Sequence, residues 1–207
     1  MTLSQCSLLL SLQSTLNDQT LNSAWLTRAI DYARQVKADR YYEHDDSTPG
    51  DHLPRKKLWW CCILRDRMIT IGVRRRIQIT PENFDFEQRG LEQADFSQER
   101  NSSQVYSADT KLMLTRVIIA QCELAVAQTP TMLAAYQNPD QDITSGSPTI
   151  AQLLAATAAV ERAKTELAVW SRRFKAALIA YANSARTASD TSSSVTLFAD
   201  MALIHYL

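Results

Sequence analysis

Apolar residues in this chain recur at steps of three and four, the spacing that gathers one face of an α-helix. In LNSAWLTRAIDYARQVKADRYY, residues 21–42, Leu21, Trp25, Ala29, Tyr32, Ala33 and Val36 make one stripe, with Arg28, Asp31, Arg34 and Lys37 mostly outside it. The polar run EHDDSTPGDHLP breaks that pattern and reads as a loop holding His44 and His52, and Pro54 suits the first turn of the helix that follows. From Leu58 to Ile71 apolar side chains occur on nearly every side, which predicts a helix enclosed by others. Residues 80–108 are polar and acidic, and TPENFDFEQ reads as irregular chain anchored by Phe84 and Phe86. A second apolar helix, DTKLMLTRVIIAQCELAVAQ, follows with Asp109 as its N-cap.

QNPDQDITSGSP, residues 137–148, is a polar linker. Beyond it Ile150, Leu153, Thr157, Val160, Ala163, Leu167, Trp170, Phe174, Ala177 and Tyr181 alternate between steps of three and four, the seam of helix-on-helix packing. Ser and Thr interrupt the pattern near 187–194, and VTLFADMALIHYL reads as a last apolar helix. The opening MTLSQCSLLLSLQS lacks a basic n-region and a small-residue cleavage site, so it reads as a helix and not as a signal peptide. There is no internal repeat. These signals predict one all-α domain over residues 1–207, a bundle of roughly six to eight helices with the linker 137–148 inside it.

Composition agrees with that class. Four glycines and six prolines are too few for a chain of many short strands. The 22 basic and 22 acidic residues cancel, so no global field favours nucleic acid or an anionic membrane. No apolar run approaches the roughly 18–20 residues that cross a bilayer, and no membrane span is expected. Cys6, Cys61, Cys62 and Cys122 form no disulfide framework, which suits a reducing, intracellular location in nucleus or cytoplasm.

The densest stretch is RKKLWWCCILRDRMITIGVRRR, residues 55–76. Its basic residues outnumber the single acid Asp66, whereas Glu82, Asp85, Glu87, Glu92, Asp95 and Glu99 dominate the segment that follows. That reversal predicts that the acidic segment folds back over the helix end and neutralises it. Direct DNA binding is then disfavoured, because it needs an uncompensated basic face. Cys61 and Cys62 lie about 100 degrees apart around a helix and no histidine adjoins them, so they make no zinc site. No Ser/His/Asp or Cys/His set, glycine-rich phosphate loop or paired carboxylate can be picked out by spacing. No metal and no cofactor are expected.

In this stretch the sequence resembles the middle homology region of fungal zinc binuclear-cluster transcription factors. Lys57, Leu58, Trp59, Trp60, Asp66, Arg67, Gly72 and Arg75 occupy the matching positions of its motif. WLTRAIDYARQVKADRYYE resembles the helix before that motif, QCELAVAQT a later one, and SSVTLFADMALIHYL a segment near the domain's midpoint. Two departures stand out. Arg76 replaces the proline of a Gly-Arg-Pro-like turn, and the six-cysteine DNA-binding cluster and much of the C-terminal half have no counterpart here. The resemblance implies an α-helical regulatory bundle without a DNA-reading module. In such a bundle Trp59 and Trp60 would wedge between helices, and Asp66 between Arg65 and Arg67 would form a partly buried ion pair.

The reading that follows is a stand-alone regulatory-type module that binds a small apolar molecule or a protein partner, tied to fungal secondary metabolism. The alternative is a cofactor-independent cyclase or isomerase, such as a Diels-Alderase, that holds a hydrophobic substrate by shape and one or two hydrogen bonds. A truncated product without a role is the third. Trp59, Trp60, Asp66, Arg67, Glu123, Trp170 and Tyr181 are the candidate ligand-binding residues, each a polar or aromatic group on a face expected to be buried. In the enzyme reading Asp66, Glu123 or Tyr181 supplies the orienting hydrogen bond.

Overall fold

The computed structural model describes residues 1–13, 20–43, 52–102, 106, 108–136 and 149–185. The linker 137–148, the Ser/Thr interruption and the expected last helix at 195–207 lie outside the described residues. Among the described residues six α-helices follow in order: α1 (Thr2–Leu12), α2 (Leu21–Gln35), α3 (His52–Val73), α4 (Ser97–Ser102), α5 (Ala108–Tyr136) and α6 (Ile150–Ala185). Short 3-10 turns occupy Ala38–Arg40 and Gln93–Phe96, and there is no strand among the described residues. The class is all-α, as the periodicity predicts.

α3 is the centre of the bundle, packed by α1, α2 and α5. Its buried residues include Leu58, Trp59, Trp60, Cys62, Ile63, Asp66, Arg67, Ile69 and Thr70, which surround the helix axis. The expectation of an enclosed helix from apolar residues on every side is met. It begins at His52, so that histidine opens the helix and does not sit in the preceding loop. Pro54 falls in the first turn, where a missing N–H leaves no hydrogen bond unmade. After Val73 the chain leaves the helix through Arg74, held in the left-handed region at φ 52°. Gly72 stays helical with open space around its α-carbon, so the turn past the helix is made by an arginine.

Further expectations need correction. On α2 the core side chains are Leu26, Ala29, Ile30 and Ala33, while Leu21 is 36% exposed and Trp25 is only half-buried under the Arg28 guanidinium. Packing of both α1 and α3 on this helix rotates its buried face by about one position. On α6 the seam is buried at Ala163 and Trp170 and partly buried at Leu167 and Phe174, but Ile150, Leu153, Thr157 and Val160 are exposed. The two helices run antiparallel, and the register that sets Trp170 against Ala120 and Leu124 carries Ile150 and Leu153 past the end of α5 at Tyr136, whereas Val160 still lies alongside α5. α5 starts at Ala108, so Asp109 lies inside its first turn and not at its N-cap.

The apolarity of α5 exceeds the expectation: Thr110–Tyr136 is 27 residues and contains an 18-residue stretch with a mean hydropathy of 1.3, by length and composition enough to cross a membrane. Lys111, Arg116 and Glu123 interrupt the run to the eye but cluster toward its first half. Here the helix packs along α3 and α6 and buries Met113, Cys122, Leu124, Ala125 and Met132.

α1 packs on α2 through serines. Ser4 is fully buried and donates from Oγ to the Ala29 carbonyl at 2.7 Å. A Ser4→Leu substitution inserts a branched side chain into that close contact and lowers stability by about 1–3 kcal/mol, seen as an earlier urea midpoint with an unchanged slope.

Candidate functional site

Asp66 and Arg67 are adjacent on α3, so their α-carbon–β-carbon bonds diverge by about 100 degrees. They meet because the long arginine side chain reaches back: its Nη1 donates to Asp66 Oδ2 at 2.9 Å. Both residues are buried, at 0% and 1% exposure. Arg75 Nη2 donates to Asp66 Oδ1 at 3.1 Å, and the amides of Gln78 and Ile79 donate to Oδ2 at 2.9 and 3.1 Å. The same arginine donates from Nη2 to the Ile79 carbonyl at 2.9 Å and to Thr129 Oγ1 at 3.0 Å, and from Nε to the Ala125 carbonyl at 3.3 Å. Its guanidinium lies over the Phe86 ring, 5.4 Å from the centroid.

This constellation ties α3 to the 77–80 segment and to α5 at one point. Burial pushes the Asp66 carboxyl up, and Arg67, the Ile79 amide, Arg75 and the Gln78 amide pull it back. Burial lowers the Arg67 guanidinium to about 10, which leaves it charged at neutral pH. Every neighbour of the carboxylate is a donor aimed at an oxygen, the arrangement of an ionised group. Arg65 is not a partner as expected; it turns to α1 and donates from Nε to Ser11 Oγ at 3.0 Å.

The double tryptophan is core. Trp59 and Trp60 are 0% and 2% exposed, and both rings contact Phe84, at 5.6 and 6.5 Å between centroids. Trp60 Nε1 donates to Tyr41 Oη at 3.3 Å, and Tyr41 passes a hydrogen bond to the Arg89 carbonyl at 3.0 Å. Gly90 lies against that indole; a β-carbon there would sit 3.4 Å from it. Burial raises the Tyr41 phenol to about 12 and the Cys62 thiol to about 12, so both stay neutral and neither is a nucleophile at physiological pH.

The acidic segment does fold back, over the N-terminal end of α3. Lys56 Nζ pairs with Asp95 Oδ2 at 2.7 Å, and Lys57 with Glu99. Asp95 also accepts the Glu92 amide at 2.9 Å and so caps the 3-10 turn at Gln93–Phe96. Lys56 and Lys57 are thereby engaged by the acidic segment, while Arg65 and Arg67 of the same helix bond Ser11 and Asp66.

A separate groove of about 560 Å³ runs between α5, α6 and residues 91–93. Met113, Val117, Ala120 and Phe174 supply its apolar floor, and Arg116, Glu123 and Arg173 stand at its walls. Phe174 stacks on Trp170 with ring centroids 5.4 Å apart. Trp170 in turn donates from Nε1 to the Ala120 carbonyl at 3.0 Å, which pins α6 on α5.

The structure therefore divides the seven candidates. Trp59, Trp60, Asp66 and Arg67 share the core around α3, Glu123 lines the groove, and Trp170 backs the groove through Phe174. Tyr181 lies on α6, and its side chain is outside the described residues. All the oxygens of Asp66 are engaged by the protein. Sequence reasoning missed Met113, Val117 and Arg173; steps of three and four linking Met113, Val117 and Ala120, and Arg173 one turn past Trp170, were the available signals. It also missed Thr129 and the Gln78 and Ile79 amides, for which no sequence signal exists.

No family model matches the chain, and no solved structure matches it. Similarity to curated proteins points to fungal transcription factors. The chain is 31% identical to cutinase transcription factor 1 beta of Fusarium vanettenii over 112 residues, which is 54% of this chain and 12% of that protein. It is 29% identical to a transcription factor of Fusarium pseudograminearum (strain CS3096) over 73 residues, 35% of this chain and 8% of that one. Over about half its length, then, the chain is similar to small parts of much longer regulators, in line with the resemblance read from residues 57–75.

Asp66→Ala leaves Arg67 charged, buried and short of its anion. Stability falls by about 3–5 kcal/mol in chemical denaturation, and Asp66→Asn, which keeps the shape and loses the charge, falls between that variant and the wild type.

Proposed function

We propose that this chain is a regulatory-type helical module whose α5–α6 groove binds a small apolar molecule. The groove carries the reading. Its volume of about 560 Å³ lies in the range of small-molecule sites, roughly 300–1,000 Å³, and it has their usual make-up of apolar floor and few polar groups. The similarity to fungal transcription factors supports the regulatory part of the proposal. The motif residues of α3 serve as the frame in this reading: they hold α5 in place by the Arg67 contacts to Ala125 and Thr129. With Lys56 and Lys57 paired to Asp95 and Glu99, the reading assigns no direct DNA contact to that helix. It places the module inside the cell, in nucleus or cytoplasm, and in fungal secondary metabolism.

Ala177 lines the groove and is exposed, so it can be enlarged without disturbing the core. The purified chain, incubated with an organic extract of a fungal culture and examined by native mass spectrometry, retains a small apolar compound. Ala177→Trp fills the groove and loses that compound while its circular dichroism is unchanged. Equal retention by both proteins removes the groove from the proposal. Recovery of a chemically altered compound supports instead the cyclase or isomerase alternative, with Glu123 at the groove wall orienting the substrate.

A further inference from the structure

Charge is unevenly set along the walls of the α5–α6 groove. Trp170 and Ala120 meet in a hydrogen bond of 3.0 Å, and the two helices run in opposite directions. From that contact Arg173 is three residues on along α6, about 4.5 Å by the rise of a helix. Arg116 is four residues back along α5, about 6 Å. In an antiparallel pair both steps lead the same way, so the two arginines stand at nearly one level on facing walls. Glu123 lies on the other side of Ala120, about 10 Å along the axis from Arg116. The other carboxylate of the lining, Glu92, is already occupied: it pairs with Arg89 and caps the 3-10 turn at Gln93–Phe96. Arg173 is exposed and has no hydrogen-bond or ion-pair partner among the described residues.

An arginine beside an apolar floor lays its stem along that floor and keeps its head at the rim. A ligand lying in the groove excludes water there, and an unpaired cation at such a rim favours an anionic head over a neutral one. The planar guanidinium fork matches the two oxygens of a carboxylate. We propose that the groove selects an apolar molecule ending in a single carboxylate, its acid group between Arg173 and Arg116 and its body on the floor of Met113, Val117 and Phe174. This rests on the groove being the binding site and adds the chemistry that the site selects. A second acid group at the far end of the ligand meets Glu123 and is repelled, so a monoacid is preferred to a diacid. A cationic head finds one carboxylate at Glu123, without the second group or the planar match that an acid finds at the arginines.

Three fluorescent probes that share one apolar body, pyrenebutyric acid, pyrenebutanol and pyrenebutylamine, test the proposal by titration into the purified chain. The acid binds about tenfold more tightly than the alcohol, the amine no more tightly than the alcohol, and the advantage of the acid shrinks in high salt. Arg173→Gln brings the acid down to the alcohol and leaves the alcohol unchanged. Arg173→Lys keeps part of the preference, having the charge without the fork, and Arg173→Glu favours the amine. Position 173 is exposed, so circular dichroism is unchanged in all three variants. Ala177→Trp, which fills the groove, weakens all three probes. Equal binding of the three by the wild type, lost in Ala177→Trp, overturns the acid selectivity and leaves the groove reading standing. An advantage for the amine overturns the selectivity too, as does an advantage for the acid that survives Arg173→Gln in full. Probes that fail to bind, or that bind Ala177→Trp as well as the wild type, overturn the groove reading and this proposal with it.

Discussion

The pairing of Asp66 with Arg67 is the constraint on which the rest of the bundle depends. Two charges at 0% and 1% exposure are costly to desolvate, and only a full set of partners makes their burial tolerable. Those partners come from Arg75, the 77–80 segment and α5, so these parts must all be in place for any of them to be. The pair does more to select one arrangement than to add net stability, because an apolar core of the same volume would carry no such demand. Thr129 illustrates the coupling: its hydroxyl accepts from Arg67 and donates to the Ala125 carbonyl on its own helix.

Around that point the aromatic residues complete the frame. Phe84 contacts Tyr41, both indoles of α3 and Phe86, so the irregular acidic segment is nailed to the core by one ring. The same segment then runs back to Lys56 and Lys57, where charge opposes charge across the N-terminal end of α3. With α5 set by Arg67 and α6 set by Trp170, the space left between the two becomes the groove. Its position follows from the frame, although none of the four framing residues of α3 lines it.

The fold class, the enclosed helix over Leu58–Ile71 and the retreat of the acidic segment were legible in the sequence. Each rests on a local signal, either a periodicity or a reversal of charge between neighbouring stretches. The candidate site was legible only in part. Picking polar or aromatic residues from apolar stretches finds Glu123 beside the groove, yet it equally finds Asp66, whose oxygens the protein itself occupies. Nothing in a linear pattern distinguishes a carboxylate held for structure from one left for a ligand. α2 shows the same limit, because its stripe was read nearly one residue away from the face that α1 and α3 cover.

Composition and spacing by themselves determined that this chain is helical, that α3 lies inside, and that its charges are largely matched from within. Those properties follow from side-chain periodicity and from charges close in sequence. Tertiary structure alone decided which faces are covered: three serines fully and one leucine, Leu8, partly on α1, and Ala163 and Trp170 but not Ile150 on α6. The reason is that burial belongs to pairs of elements. A helix carries its pattern with it, but the register, roll and length of its neighbour decide how much of that pattern is hidden from water.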